Sequence, residues 1–356
     1  MYPRVSLALV DHDTASLQEQ LAAWGHKRVH AATVLRQFYA HDGGPVDWLG
    51  QGLPHALVEH LRTDISEAVS SLAARQVADD GTTKLLLRLQ DGRTVESVMM
   101  PDFRGERVAG CISSQVGCAM GCDFCATTKT GFERNLSAGE MVAQFLALRR
   151  EARALGRKLH TIVFMGMGEP LLNLDAVLAA VDRIANNAMG GLGWRQITIS
   201  TVGIVPAIDA LDATGLNVNL AVSLHAPDDV TRSHLLPMGR RYGVAEIMAA
   251  LDRFQARRGR PTIIQYCLLR DVNDTLEHAR ALAAVVGGRR IHVNLLTYNP
   301  TGTSLRGLMY QKSEDATAEA FWRTLREHGV VTHFRRSRGP GIDAACGQLR
   351  RRTAVT

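Results

Sequence analysis

The sequence predicts an α/β protein in which a parallel sheet forms the core and a small α+β domain precedes it. Two observations favour this fold class. From about residue 107, short apolar segments alternate with helical segments, whereas the first hundred residues lack this alternation. Buried strands that are joined through helices make right-handed crossovers and share one parallel sheet. A six-unit partial barrel and an open doubly wound sheet both fit, and both carry their chemistry at the carboxyl ends of the strands.

The N-terminal region is predicted to contain three short amphipathic helices and a β-hairpin. Apolar residues recur at three- and four-residue spacing in three segments. These segments are residues 14–24, 30–40 and 54–62. The stretches LLLRLQ and VESVMMP flank a turn at Asp91 and Gly92, which is typical of a hairpin. We therefore expect residues 1–100 to form an accessory domain.

The core domain, residues 101–349, is predicted to contain six buried strands. They are residues 108–114, 161–166, 196–201, 217–224, 262–269 and 291–298. Helical periodicity is clearest in the intervening stretches AGEMVAQFLALRREARAL, LDAVLAAVDRIAN and TLEHARALAAVV. A last helix near 315–328 and a strand VVTHFR follow, and residues 350–356 form a basic tail.

Composition narrows the class of protein. The chain has 356 residues and is 46% hydrophobic, so it can bury a sizeable core and does not belong to the disordered class. No run of about 18 apolar residues predicts a transmembrane helix. Acidic residues interrupt the N-terminal stretch MYPRVSLALVDHDTASL, so we expect no signal peptide and a cytoplasmic location. The net charge of +6 favours a polyanionic partner, while an aromatic content of 5% argues against an extended base-stacking surface.

Three cysteines in the segment GCAMGCDFCATT give the strongest chemical signal. Cys118, Cys122 and Cys125 form a C-x3-C-x2-C pattern just after the first predicted core strand. A loop this short can direct three thiolates to one metal site, but structural zinc needs a fourth ligand. A [4Fe–4S] cluster with one open iron fits three ligands. Three unrelated buried thiols, or a zinc site completed by a distant His, are the alternatives.

The pattern, with Phe124 before its last Cys, is similar to the signature of the radical S-adenosylmethionine (SAM) superfamily. Further motifs resemble the RlmN/Cfr family of RNA adenine methyltransferases, in order from about residue 96 to residue 349. They are SSQVGCAMGCDFCATTKTGF, MGMGEPLLN, ISTVG, VSLHAP, NLLTYNP and RRSRGPGIDAACGQL. The resemblance implies a partial (β/α)6 barrel, one [4Fe–4S] cluster held by Cys118, Cys122 and Cys125, and two SAM molecules per turnover.

The resemblance also implies a SAM pocket at the carboxyl ends of the strands. Gly168 and Glu169, in MGMGEPLLN, would bind the SAM amino group. The other pocket residues would be Ser200, Ser223, Leu224, His225 and Asn299. Taken alone, such residues at strand ends more often form caps and turns.

Two cysteines outside the loop gain roles from the resemblance. Taken alone, Cys111 reads as a buried strand residue, Cys346 as a thiol at a helix start and Cys267 as a packing residue. The resemblance implies that Cys346 carries a methyl group donated by one SAM. A radical derived from a second SAM takes hydrogen from that methyl, and the resulting carbon radical adds to adenine. Cys111 then attacks the sulfur of Cys346, which releases methylated RNA and leaves a disulfide.

Glu96, in VESVMMP, is the general base that the resemblance implies, although a lone Glu on a hairpin is more often a solvated residue. Two departures from the family pattern accompany it. The segment between Glu96 and Cys111 is about two residues longer than usual. Gly341 stands where an Asp commonly precedes the Ile of the DAACGQL motif.

Basic residues form several groups, which we interpret as an RNA-facing surface rather than a solvated face. They are Arg149, Arg150, Arg153, Arg157 and Lys158; Arg240 and Arg241; Arg257, Arg258 and Arg260; Arg289 and Arg290; Arg335, Arg336 and Arg338; and Arg350, Arg351 and Arg352.

The predicted function is radical SAM methylation of an adenine ring carbon in 23S ribosomal RNA. The favoured carbon is C2 rather than C8, and the sequence leaves open whether transfer RNA is a second substrate. We expect the accessory domain to engage the RNA, an electron donor as a further partner, no membrane and a monomeric chain. The alternatives are a C8-directed, resistance-type methyltransferase, a radical SAM enzyme acting on a peptide or small molecule, and a non-enzymatic RNA-binding iron–sulfur protein.

Overall fold

The computed structural model describes residues 7–66, 69–102, 105–335 and 337–349. Its strands are β1 (Leu7–Ala8), β2 (Ile65–Ser66), β3 (Ser70–Val77), β4 (Thr83–Leu89), β5 (Thr94–Pro101), β6 (Arg107–Cys111), β7 (Gln115–Gly117), β8 (Phe132–Asn135), β9 (Lys158–Phe164), β10 (Ile197–Thr201), β11 (Asn219–Ser223), β12 (Thr262–Leu268), β13 (Ile291–Thr297) and β14 (Val331–Arg335). Its α-helices are α1 (Thr14–Ala23), α2 (His30–Ala40), α3 (His55–Thr63), α4 (Ala126–Lys129), α5 (Ala138–Ala154), α6 (Leu174–Ala185), α7 (Val205–Ala213), α8 (Asp229–Leu235), α9 (Val244–Arg258), α10 (Leu276–Val286) and α11 (Asp315–Glu327).

A ten-stranded sheet organises the described residues, in the order β14-β13-β12-β11-β10-β9-β6-β5-β4-β3. The strands from β6 to β14 in this sheet pair in parallel, which confirms the predicted α/β class and the partial barrel of strand–helix units. All six predicted core strands are present. The predicted strand near residue 331 pairs with β13 and adds a seventh parallel strand.

Local sequence explains where the core helices begin. At the start of α5, the Ser137 hydroxyl accepts the Glu140 amide N–H at 3.1 Å, and the Glu140 carboxylate accepts the Ser137 N–H at 2.9 Å. This reciprocal capping satisfies two amide groups that the helix cannot bond internally. Asp228 and Thr275 cap α8 and α10 through their side-chain oxygens. These caps fix the residue at which each helix begins, directly after the loop that precedes it.

The N-terminal hairpin is present as β4 and β5, and it continues the core sheet. Strand β5 pairs with β6 in antiparallel fashion, and β3 adds an outer strand whose residues are mostly exposed. Leu17, Phe38 and Leu61, from α1, α2 and α3, share one hydrophobic core with Phe145 of α5. The boundary expected at residue 100 therefore falls within β5, and the role of the N-terminal region in RNA binding stays a prediction.

No helix within the described ranges combines the length and the apolar character that crossing a bilayer requires.

Gln144 joins α5 to the sheet at the junction between the hairpin and the barrel. Its side chain is completely buried. Oε1 accepts the Ser97 hydroxyl at 2.9 Å and the Ser113 amide at 2.8 Å, and Nε2 donates to the Ser113 carbonyl at 3.0 Å. One amide thus satisfies buried polar groups of β5 and of the segment after β6, which fixes the antiparallel extension against the parallel strands.

We expect Gln144→Leu to lower the free energy of unfolding by about 3 kcal/mol, because it leaves the amide and carbonyl of Ser113 buried without their partner. Urea unfolding of the apoprotein measures the change. Arg150→Leu, an exposed change on the same helix, is the control and should leave the midpoint nearly unchanged. Equal midpoints for the two variants would contradict the assigned role of Gln144.

Candidate active site

A cavity opens at the carboxyl ends of the parallel strands, where the fold class predicts the chemistry. It collects most of the residues that the sequence analysis singled out. Those that line it are Cys122, Cys125, Gly168, Glu169, Ser200, Ser223, His225 and Cys346. The predicted residues that do not line it are Glu96, Cys111, Cys118, Leu224 and Asn299.

The cysteine loop runs from the end of β7 to the start of α4. Gly117 allows the loop to turn, because its φ is +77° and a Cβ there would lie 1.8 Å from the Gly131 carbonyl oxygen. The Cys118 amide donates to that same carbonyl at 3.1 Å, and the Cys125 amide donates to the Cys122 carbonyl at 3.1 Å. The backbone therefore holds the three thiols within one compact loop.

The thiols of the loop fit a shared, positively charged group. Burial raises the pKa of Cys118 to about 12, and burial followed by the neighbouring thiols raises the pKa of Cys122 well above its usual value. Across the described ranges, no three His, Cys, Asp or Glu side chains are gathered closely enough to hold a single metal ion. In a [4Fe–4S] cluster each thiolate would bind a different iron, whereas structural zinc would need all its ligands around one ion.

Gly168 and Glu169 form a tight turn after β9. Gly168 has φ +101°, and a Cβ there would lie 2.8 Å from the Gln115 amide nitrogen. The buried Glu169 carboxylate accepts amide N–H groups from Leu171 at 3.0 Å and from Val202 at 2.8 Å. Burial outweighs these hydrogen bonds and raises the pKa of Glu169 to about 7. A bound cation would favour the ionised carboxylate, which suits the ammonium group expected here.

His225 is held neutral in the cavity wall. Its Nδ1 accepts the Cys267 amide N–H at 2.9 Å, so the ring proton of the neutral form lies on Nε2. Burial, followed by the charge of Arg232, lowers the pKa of His225 to about 3. The residue has φ +59°, a strained conformation that persists because the Asn273 side chain donates to its carbonyl at 2.7 Å. The His225 ring packs edge-on against Phe124, with centroids 5.0 Å apart.

The remaining predicted pocket residues differ in exposure. Ser200 lies near the end of β10 and Ser223 at the end of β11. Leu224 is completely buried, and its backbone amide donates to the Gln265 carbonyl at 3.1 Å. Asn299 is half-buried, beside the cavity residue Tyr298. Their contacts with SAM stay a prediction.

The structure brings the remote cysteines to the cysteine loop. Cys346 lies in a turn rather than at the start of a helix, because the DAACGQL segment has no regular secondary structure. The Gly347 carbonyl accepts the Ala126 amide at 2.7 Å, which places Cys346 next to the end of the cysteine loop. Cys346 is exposed where it borders the cavity.

Cys111 and Cys267 flank Cys346 from the sheet. Cys111 is buried in β6, as expected for a strand residue. Burial raises the pKa of both thiols, and a negative charge on Cys346 raises each further. Cys267, expected to be a packing residue, is buried but also lines the cavity, because β12 ends at the cavity edge. Its position in TIIQYCLL did not indicate this.

Glu96 is buried rather than solvated. It is completely inaccessible, and its Oε1 lies 3.2 Å from Nζ of the buried Lys84. Val98 pairs with Cys111, so Glu96, two residues before Val98, lies on the same face of the sheet as Cys111. The longer segment between Glu96 and Cys111 contains the end of β5 and most of β6, and residues 103 and 104 between these strands lie outside the described residues. Gly341 is exposed and a Cβ there would meet open space, so nothing in the described structure demands glycine.

Arg232, which the sequence analysis did not single out, lies beneath the cavity on α8 and is completely buried. Nη1 donates to the Ser223 carbonyl at 3.0 Å and to the Leu224 carbonyl at 2.6 Å, and Nη2 donates to the Val202 carbonyl. Burial lowers the pKa of Arg232 to about 10, so the guanidinium remains charged at neutral pH. In DDVTRSHLLPM it reads as an ordinary helix residue.

Several predicted RNA-facing arginines form ion pairs. Arg149 and Arg153 both pair with Asp42, Arg257 and Arg258 with Asp212, and Arg289 with Asp252. Arg336 and residues 350–352 lie outside the described residues. An RNA-facing role for any of these groups stays a prediction.

The fold and the site together define a class of protein. A partial (β/α) barrel whose cysteine loop and Gly-Glu turn face one cavity is the arrangement of a radical SAM enzyme. The profile described as the Radical SAM superfamily matches residues 112–283. A solved structure, that of a radical SAM methyltransferase from Sphaerobacter thermophilus, aligns with TM-score 0.90 and 41% identity, covering 97% of this chain and 99% of that chain.

Two curated relatives identify the family. A protein of Opitutus terrae named probable dual-specificity RNA methyltransferase RlmN 1 is 67% identical over 98% of this chain and 97% of its own length. A protein of Rhodopirellula baltica named probable dual-specificity RNA methyltransferase RlmN is 41% identical over 96% of this chain and 90% of its own length. The chain belongs to the RlmN/Cfr family of radical SAM proteins.

We expect Arg232→Met to lower the free energy of unfolding of the apoprotein by roughly 3 kcal/mol, because it leaves three buried carbonyls without their donor. Urea unfolding checks this. Arg240→Met, an exposed change in the segment that follows α8, should leave the unfolding midpoint close to that of the wild type. A wild-type midpoint for Arg232→Met would show that the carbonyls find other partners.

Proposed function

We propose that the chain is a radical SAM RNA methyltransferase that methylates C2 of an adenine in 23S ribosomal RNA and in transfer RNA. The observation that carries the proposal is that Cys346 and the cysteine loop border one cavity, while Cys111 is buried in β6 close enough for its thiol to interact electrostatically with that of Cys346. A radical SAM enzyme acting on a peptide or a small molecule needs the loop but not this cysteine pair. An RNA-binding iron–sulfur protein needs neither the pair nor the Gly168-Glu169 turn.

Cys118, Cys122 and Cys125 hold the [4Fe–4S] cluster in this proposal, and one iron stays open for SAM. When bound, the cluster supplies the electron that cleaves SAM to a carbon radical and takes an electron back later in the reaction. Glu169 binds the SAM ammonium group as a carboxylate, with Gly168 allowing the close approach. Ser200, Ser223, Leu224, His225 and Asn299 line the pocket, and two SAM molecules are used per turnover.

Cys346 acts as the methyl carrier because adenine C2 is a poor nucleophile and cannot attack SAM directly. In this proposal its sulfur accepts a methyl group from the first SAM. The carbon radical derived from the second SAM takes one hydrogen atom from that methyl, and the resulting methylene radical adds to the ring carbon. The adduct then loses one electron and the ring proton, and Glu96 accepts that proton. Cys111 attacks the Cys346 sulfur, so an S–S bond forms and the C–S bond breaks. The released carbon takes up a proton and becomes the new methyl group.

The names of the relatives support the substrate assignment. They describe dual-specificity RNA methyltransferases, which fits ribosomal and transfer RNA as two substrates. C8 methylation by a resistance-type enzyme is the alternative, and mapping of the methylated nucleoside separates the two. We further propose that the N-terminal region engages the RNA, that an electron donor reduces the cluster, and that the chain works as a monomer in the cytoplasm.

The proposed cluster predicts the iron content. Anaerobically reconstituted protein should hold about four irons per chain. A variant with Cys118, Cys122 and Cys125 all changed to Ala should lose them, whereas the Cys267→Ala control should keep them. Iron analysis and visible absorbance measure this outcome. Stoichiometric zinc without cluster absorbance would contradict the assignment.

The proposed roles of the two remote cysteines predict different behaviour of their variants. Cys346→Ala should form neither methylated protein nor methylated RNA. Cys111→Ala should accept the methyl and attack RNA, then stall as a covalent adduct because it lacks the thiol that releases the product. A denaturing gel with RNA, followed by nuclease digestion and peptide mass analysis, detects the adduct.

Two outcomes would contradict the proposed roles of Cys111 and Cys346. Two structural thiols would give two similarly destabilised variants with no adduct in either. Normal turnover by Cys111→Ala would show that the release step uses another residue.

A further inference from the structure

A buried lysine faces the proposed general base across the hairpin. Lys84 on β4 pairs with Val98 on β5, and Val98 pairs with Cys111 on β6. Residues in register across adjacent strands project to the same face, and so do residues two apart on one strand. Lys84, Glu96 and Cys111 therefore share the face on which the C-terminal segment packs, as the hydrophobic cluster that Val98 and Cys111 form with Ala344 and Leu349 indicates.

Lys84 contacts both the base and the segment that carries the methyl-accepting cysteine. Its Nζ lies 3.2 Å from Oε1 of Glu96, with side chains only 6% and 1% exposed. The same Nζ donates to the Asp343 carbonyl at 3.4 Å, three residues before Cys346. An ammonium group has three donors and can hold both oxygens at once. The Lys84 side chain thus links Glu96 to the segment that carries Cys346, and both take part in the proposed resolution of the protein–RNA adduct.

Two further hydrogen bonds fix the backbone around this link. The Ser113 hydroxyl donates to the Glu96 carbonyl at 2.7 Å, which fixes the backbone of β5. Asp80, in the turn before β4, accepts a hydrogen bond from the Gly339 amide at 3.1 Å. The start of the hairpin therefore binds the C-terminal segment at a second point. The distance between the Glu96 backbone and the Cys346 segment is therefore set by the hairpin.

Stability alone does not account for the ion pair. A buried ion pair gives little or no advantage over a well-packed apolar pair, since both charges lose their hydration. A buried carboxylate nevertheless needs an opposite charge if it is to stay ionised at its position. Only an ionised carboxylate can accept a proton, so the lysine supplies what the proposed base requires.

We propose that Lys84 is a positioning residue that fixes the Glu96 carboxylate relative to the segment carrying Cys346. This inference rests on the proposed function. In the step concerned, the C–H bond at the modified ring carbon breaks and its proton moves to a carboxylate oxygen of Glu96. The electron that must also leave the adduct follows the route already described. Lys84 keeps its own proton throughout and touches neither SAM nor RNA.

The test uses the reconstituted full-length protein with SAM, a reductant and RNA. Lys84→Met should keep reductive SAM cleavage and methylation of Cys346 within about twofold of wild type. Release of methylated RNA should fall at least tenfold in kcat, with little change in KM for RNA, and the covalent protein–RNA adduct should accumulate at least tenfold. Lys84→Arg, which keeps the charge, should restore most of the release.

Two further variants make the outcome interpretable. Arg88→Met, an exposed change on the same strand, is the matched control and should behave like the wild type. If Lys84→Met does not fold, Lys84→Gln takes its place, because an amide keeps hydrogen bonds but not the charge, and it should accumulate adduct too.

The proposal is overturned if Lys84→Met and Lys84→Gln release methylated RNA at the wild-type rate. It is also overturned if a folded variant loses SAM cleavage and Cys346 methylation to the same degree as product release, which would mark a general structural role. A wild-type protein that methylates neither Cys346 nor RNA would overturn the proposed function itself, and that result is read before any variant is compared.

Discussion

The active site depends on one buried guanidinium at the carboxyl edge of the sheet. Where the parallel strands end, some backbone carbonyl groups have no hydrogen-bond partner on the neighbouring strand. The protein around the cavity also shields these carbonyls from bulk water, so they need another donor. Arg232 donates to the carbonyl of Ser223 at the end of β11 and to those of Leu224 and Val202, which directly follow β11 and β10. The amide of Val202 in turn donates to Glu169. A single network therefore joins the ends of β10 and β11 to the turn after β9.

This network also supports the cysteine loop. Asp123, between two of the loop cysteines, donates its amide to the Leu235 carbonyl at 3.0 Å, at the end of the helix that carries Arg232. Burial moves the titratable groups nearby toward their neutral forms: the pKa of Glu169 rises to about 7, that of His225 falls to about 3 and that of Cys118 rises to about 12. A ligand that brings positive charge would favour the ionised forms of this carboxyl and these thiols, and the proposed cluster and SAM both bring such charge.

Sequence periodicity was sufficient for the seven parallel strands of the core and for α5, α6, α10 and α11, because these strands are apolar and these helices have one apolar face. The C-x3-C-x2-C spacing likewise located the loop. Long-range contacts were not predictable in this way. Strand β3 has a mostly exposed surface and no clear alternation, so SSLAARQV did not indicate a strand. Burial of Glu96 depends on Lys84, which strand register rather than sequence distance brings near. Arg232 looks like a surface helix residue until its three carbonyl partners are known.

The two proposed working cysteines sit in environments that suit different moments of one reaction. Cys346 is exposed at the border of the cavity on an irregular segment, so under the proposed mechanism SAM and the RNA base would approach its sulfur from the cavity. Cys111 is buried in β6 and does not line the cavity, so its sulfur is shielded from a methyl donor bound there. Once the RNA is attached to Cys346, the sulfur that Cys111 must attack is already beside it. Burial thus separates methyl transfer from product release without any need for the two cysteines to differ in chemistry.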